Sequence, residues 1–163
     1  MIRRYGEAVR QGARYRHRPG VYAILPMGRD LLVTCQAGDP DEIQLPGGGI
    51  DPGESPIRAL HREVFEETGW RIAAPRRLGA FRRFAWMADY GIWGEKICHV
   101  YIARPVRPHG PPREAGHSAL LMPARLAAER LGNEGDRAFV RAHAAGPGAN
   151  LPQRQLAPGA ESH

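Results

Sequence analysis

The sequence predicts a single α/β domain, and three observations carry that reading. The chain has 163 residues with 42% hydrophobic side chains, which is enough for one ordinary core. Strand-like apolar runs and helix-like periodic runs succeed one another along it. One segment, Gly48–Trp70, joins a glycine-rich turn to a well-started helix that carries three carboxylates. The domain is expected over residues 1–145, with residues 146–163 a disordered tail rich in Pro, Gly and Ala.

The elements are expected in this order. Arg16 to Pro26 ends in β-branched and alternating residues and reads as a strand. Gly28-Arg29-Asp30 turns the chain into a hairpin partner, Leu31 to Gln36. Gly38 to Asp41 is a loop, and Ile43 to Leu45 is a short strand stopped by Pro46. Pro56 to Thr68 is the best-defined helix: Ser55 suits the N-cap, Pro56 the first helical position and Gly69 the C-terminal stop. Ile57, Leu60 and Val64 form the stripe expected to pack on a sheet. Arg76 to Met87 and Lys96 to Val106 read as long strands joined through Ala88 to Glu95. Arg107 to Gly116 is a Pro/Gly-rich loop, Ala119 to Met122 a short strand, and Pro123 to Leu131 and Glu134 to Ala145 two helices.

Composition excludes some classes. No apolar run reaches membrane-spanning length, and Met1 to Pro19 lacks the apolar stretch of a signal peptide. Cys35 and Cys98 have no metal-ligand spacing and are expected as buried free thiols, which suits a reducing cytoplasm. The net charge is +6, and Lys96 is the only lysine among 23 basic residues. That balance suits polyanionic ligands, since guanidinium forks bind phosphate; compositional bias gives the same charge.

Glu63, Glu66 and Glu67 stand at i, i+3 and i+4, so a helix projects them from one face. Like charges at this spacing cost a bare helix roughly 0.2–0.5 kcal/mol per pair and invite a cation. Carboxylate oxygens with few other ligands suit Mg²⁺ or Mn²⁺. By helical angle the three lie beside the apolar stripe, at the edge of a cleft. Pro46-Gly47-Gly48-Gly49 lets backbone approach a ligand, and a carbonyl there can join the cation. Glu54 and Arg62 are placed to pair and pin the loop to the helix. The alternative is an amphipathic helix with a solvated acidic face; the agreement of turn, cap, carboxylate triplet and terminal glycine stands against it.

These positions resemble the box of the Nudix hydrolases, MutT-like enzymes. The matching residues are Gly48, Glu54, Arg62, Glu63, Val64, Glu66, Glu67, Gly69 and Trp70; only Trp70 departs, being aromatic where the family is usually aliphatic. The resemblance implies the Nudix fold, an α/β/α sandwich around a mixed β-sheet. It implies hydrolysis of a nucleoside diphosphate linked to another moiety, by water attack on phosphorus. It makes Glu63 and Glu67 principal metal ligands, Glu66 a further ligand, the Gly47 carbonyl a backbone ligand, and Arg62 an orienting residue paired with Glu54. Family members often add a later glutamate as ligand or base. Glu114 is the candidate, with an exposed loop carboxylate as the alternative; Glu95 is the runner-up.

Other residues have two readings. His117 is expected to be solvated, with substrate contact the alternative. Trp86, Tyr90 and Trp93 stack on a base or pack the hairpin, the latter favoured for Trp86. Only one of Arg82 and Arg83 can face the cleft. The expected substrates are small nucleotides, such as nucleoside triphosphates or nucleotide sugars. RNA 5′ ends and dinucleoside polyphosphates are the alternative, because Arg18-Pro-Gly-Val and the Leu45–Ser55 run resemble that branch of the family. Downstream markers of the coenzyme A and NADH branches are not found. A non-catalytic nucleotide-binding module would commonly lose box carboxylates, and here all remain. Family enzymes are often dimers, and Met1 to Arg16 offers an interface strand for a homodimer.

Overall fold

The computed structural model describes residues 1–144, so the expected tail lies outside the described residues. In chain order the elements are β1 (Arg3–Arg4), β2 (Tyr15–Ile24), β3 (Pro26–Met27), β4 (Asp30–Gln36), β5 (Glu42–Gln44), β6 (Gly47–Gly49), α1 (Pro56–Thr68), β7 (Trp70–Met87), β8 (Ile92–Pro108), β9 (His117–Pro123), α2 (Ala124–Arg130) and α3 (Glu134–His143). A mixed sheet runs β1-β7-β8-β2-β6, with β2 parallel to β8 and antiparallel to β6. The second sheet is antiparallel and is centred on β4, which pairs with β3, β5 and β9.

Period-two alternation decides the layering. Val21, Ala23 and Leu25 face α1, where they meet Ala59, Leu60 and Val64. Ile24 faces the other way, into a core with Val33, Phe81, Val100, Ala127, Leu131 and Val140. Helices therefore cover both faces, α1 on one and α2 with α3 on the other, as an α/β/α sandwich requires. Burying Leu60 and Val64 completely stabilises the α1 contact by roughly 1.5–3 kcal/mol each. No helix among the described residues is long and apolar enough to cross a membrane.

Several boundaries differ from expectation for physical reasons. The expected mixed sheet is present, and a second, antiparallel sheet stands beside it, because the chain leaves β2 at Leu25 and continues as β3 beside β4. Strand β7 begins at Trp70, six residues before Arg76. Pro75 has no N–H for the ladder, and the register shifts between Ala73 and Arg76 to pass it as a bulge, with Ala74 at φ 50°. The β7–β8 turn is shorter than the expected Ala88–Glu95 connection, closing through a 3₁₀ turn at Ala88–Tyr90 and Gly91. Ile57 is not part of the packed stripe. It shares Val64's direction but stands about 10 Å nearer the helix start, where it is 40% exposed. Cys98 is buried and Cys35 half-buried. Arg3 and Arg4 pair with Phe81 and Arg82 of the chain's own β7, so this part of the N-terminal segment has a partner within the chain.

Candidate functional site

Pairing of Val21 with Gly48 and Tyr22 with Gly47 holds β6 at the edge of the mixed sheet, against α1. The approach demands glycine. A Cβ on Gly47, at φ 155°, would collide with the Val21 carbonyl, and one on Gly48 with the Glu63 carboxylate. Gly47 N–H donates to Glu67 Oε2 at 3.0 Å, fastening the turn to the helix.

Helix α1 forms as its sequence dictates. Ser55 Oγ accepts from Arg58 N–H at 3.3 Å, and Gly69, at φ 75°, donates to the Phe65 carbonyl at 2.8 Å. Glu63 and Glu67 are buried, whereas the Glu66 side chain is 40% exposed. Arg62 ties the acidic face together. Its Nε and Nη2 donate to Glu54 Oε1 and Oε2, both at 2.9 Å. Nη1 donates to Glu63 at 2.7 Å and Glu66 at 3.3 Å, and Nη2 also reaches the Gly49 carbonyl at 3.0 Å. The expected Glu54–Arg62 pin is therefore present.

The segment before β9 closes the other side. His109 N–H donates to the Gly69 carbonyl, and Arg113 and Glu114 N–H donate to the Glu66 carbonyl at 2.8 and 3.0 Å. These bonds satisfy carbonyls that a helix end leaves free. They also carry Glu114 to the cluster. Ligand atoms of Glu63, Glu66 and Glu114 lie within 4.8 Å of one another, and so do those of Glu67, Glu114 and His117. Glu114 belongs to both groups.

The electrostatics suit a cation. Burial pushes the Glu67 carboxyl up to about 8, against its bond from Gly47 and with Glu114, Glu63 and Glu66 adding to the rise. Burial also raises Glu63, although Arg62 opposes it. Glu54, outside this crowd, is held at about 2 by its hydrogen bonds from Arg62. Carboxylates packed together and out of water hold protons unless a positive charge joins them. The donor set of carboxylates and one imidazole fits a divalent metal.

His117 overturns its solvated expectation. Its side chain is 6% exposed, with Nε2 3.5 Å from Glu67 Oε1 and Nδ1 4.0 Å from Glu114 Oε1. Strand pairing with Gln36 fixes its backbone. Nδ1 is buried without a hydrogen-bond partner among the described residues. Its spacing three residues after Glu114 was the available signal. Glu95 lies outside both donor groups; it pairs with Arg82 Nε at 3.1 Å.

Two cavities meet at Glu114. One of about 220 Å³ is lined by Tyr22, Gly47, Glu67, Arg83, Lys96, His117 and Asp136 among others. Of the paired arginines it is thus Arg83 that faces the cleft. The other, of about 540 Å³, is lined by His61, Arg62, Phe65, Glu66, Arg71, Arg113 and Glu114. The aromatic residues gather at the β7–β8 turn. Trp86 is 52% exposed and meets Trp93 edge-on at 5.3 Å, while Tyr90 lies under Arg18 at 4.9 Å. Lys96 and Asp136 joined this cavity without any local sequence signal, since only strand and helix packing brings them there.

Comparison with known proteins adds four findings. A family model described as NUDIX domain matches residues 16–143. An RNA pyrophosphohydrolase from Helicobacter pylori (strain G27) is 45% identical over 60 residues, which cover 33% of this chain and 38% of that protein. A Bacillus subtilis (strain 168) protein, provisionally named 8-oxo-dGTP diphosphatase, is 49% identical over 64 residues, covering 39% and 43%. The chain thus spans less than half the length of these relatives. Among solved structures, a MutT protein from Bacillus halodurans superposes with a TM-score of 0.63 at 21% identity, covering 76% of this chain and 80% of that one, a likeness of fold.

Proposed function

The chain belongs to the NUDIX family, and on that premise we propose that it is a divalent-metal-dependent pyrophosphohydrolase of small nucleotides. The observation that carries this reading is the carboxylate cluster: Glu63, Glu66 and Glu67 from one helix face, joined by Glu114 from a loop bonded to that helix. We assign Glu63 and Glu67 as principal metal ligands, with Glu66 and the Gly47 carbonyl completing the set. Mg²⁺ or Mn²⁺ bound there would neutralise the pyrophosphate and lower the pKa of the attacking water.

The chain's own residues do the rest. Arg62 orients Glu63 and Glu66 and, through Glu54 and Gly49, holds the glycine turn against α1. We assign Glu114, shared by both donor groups, as the acceptor of the proton when water attacks phosphorus. The P–O bond to the leaving group breaks, and its electron pair departs with that oxygen. The smaller cavity beside Glu67, with Arg83 and Lys96, suits the anionic nucleotide portion. A second reading, an RNA 5′ end as substrate, is favoured by the Helicobacter pylori relative's printed name and by the net charge of +6.

Phosphate and pyrophosphate release over a panel of nucleoside triphosphates, nucleotide sugars and 5′-triphosphorylated RNA, with Mg²⁺, tests both readings. Glu67→Gln, which removes a charged metal ligand, is expected to lower kcat on the order of 100-fold. Absence of turnover on every substrate, with nucleotide binding intact, would sink the enzyme reading. Turnover of RNA alone would replace the first substrate class with the second.

A further inference from the structure

The larger of the two cavities at Glu114 has a use that the metal cluster does not explain. Phe65 of α1, half-buried, is among the residues that line it. Two guanidiniums lie over that ring, Arg71 at 4.2 Å and Arg113 at 4.7 Å from its centroid. Neither arginine makes an ion pair among the described residues, and both are exposed. Arg71 comes from the start of β7 and Arg113 from the segment bonded to the Glu66 carbonyl, so two separate parts of the chain converge on one ring. A guanidinium held against an aromatic ring by cation–π attraction still has its N–H donors to offer a ligand. With the ring face occupied by cations, it is not a platform for a base. The cavity, about 540 Å³, opens directly onto Glu66 and Glu114.

We propose that Arg71 and Arg113 form a phosphate subsite that holds the part of a phosphate chain lying beyond the cleaved anhydride. It rests on the hydrolase reading given above and narrows its substrate class. Because the two cavities meet at Glu114, a substrate crosses the carboxylates with one end on each side. The nucleotide end lies toward Arg83 and Lys96, and the far end lies toward Phe65. A far end that is phosphate meets two unpaired guanidinium forks, whereas the neutral hydroxyls of a sugar leave them without charge partners. The substrates are therefore nucleoside triphosphates or longer polyphosphates, in preference to nucleotide sugars.

Two measurements test the subsite. Calorimetric titration with inorganic tripolyphosphate in Mg²⁺ compares the full chain with Arg71→Ala/Arg113→Ala; binding is expected to weaken on the order of tenfold or more, from loss of charge-assisted hydrogen bonds. In steady-state assays the same variant is expected to lower the ratio of kcat/KM for a nucleoside triphosphate over that for a nucleotide sugar on the order of tenfold, chiefly through KM. Arg71→Lys/Arg113→Lys, which keeps the charge and loses the fork, is expected to fall between. Equal tripolyphosphate affinity in wild type and in a folded double-alanine variant, or no affinity in wild type, overturns the proposal. Should the wild type turn over neither substrate, the hydrolase reading fails, while the tripolyphosphate titration still decides the subsite.

Discussion

Arg62 does at one position what no other side chain of the helix can. Its five donors serve Glu54, Glu63, Glu66 and the Gly49 carbonyl at once. A lysine has the same charge without the fork. Arg62→Lys is expected to leave the fold intact and to lower kcat/KM by roughly 10–100-fold, since hydrogen bonds between charged groups contribute about 1.5–3 kcal/mol. The Glu54 carboxyl, held at about 2, should then rise toward its ordinary value. In the wild type this carboxyl is depressed, so its stabilising contribution is complete above the unfolded pKa and is lost as pH falls through about 2. A shift of the Glu54 carbon resonance titration, followed by NMR, reads this directly; an unmoved titration would show that charge alone holds the pair. The sequence made the Glu54–Arg62 pair legible because both residues belong to one short segment. His117 was not legible in the same way: its burial comes from the β9–β4 pairing and from Glu67, fifty residues earlier.

At the scale of elements, local signals decided what was readable. The bounds of α1 matched because cap, first-turn proline and terminal glycine all lie in its own sequence. Strand β7 is longer than its own sequence predicts, because a proline hides a strand whose ladder passes it by a bulge, and only the partner β8 reveals that passage. The end of α1 shows how an element's stop becomes part of the site. Gly69 takes the left-handed φ of 75°, and a Cβ there would strike the Gly110 carbonyl. Gly69→Ala is expected to cost about 1–2 kcal/mol from backbone strain alone, plus the displacement of the segment that carries Glu114. Gly28→Ala separates the two effects, because Gly28 has φ 63° with nothing within 4 Å of a new Cβ. Urea unfolding and kcat measured together should show Gly28→Ala losing stability only. Gly69→Ala should lose more stability and also activity. Equal behaviour of the two variants would mean that the 110–114 segment accommodates the new methyl without moving Glu114.

For the whole molecule, helices on both faces follow from alternation in β2, but strand order and the sharing of strands between two sheets rest on pairings across the full chain, which no local pattern encodes. Of the acids that line the cavity of about 220 Å³, two are buried, Glu67 from α1 and Asp136 from α3. Asp136 is 4% exposed, and its Oδ1 has no hydrogen-bond partner among the described residues. Burial raises it to about 7, although Arg83 and Lys96 oppose the shift. Between the unfolded pKa near 3.8 and about 7, the native protein keeps a proton that the unfolded chain has released. Stability therefore falls as pH rises through that window, by about 1.4 kcal/mol per unit at most, and the loss is complete above it. Glu67, raised to about 8, acts in the same direction up to that pH. Asp136→Asn cannot ionise, so it is expected to recover up to about 4 kcal/mol at pH 8 and to flatten the decline between pH 4 and 7. Urea midpoints at pH 5 and pH 8 measure this; an unchanged decline in Asp136→Asn would place the pH dependence elsewhere. A divalent metal bound at the proposed cluster would act on the Glu67 share alone, because the unfolded chain has no such cluster. Mg²⁺ at pH 8 should therefore stabilise the wild type and Asp136→Asn alike, and Glu67→Gln much less.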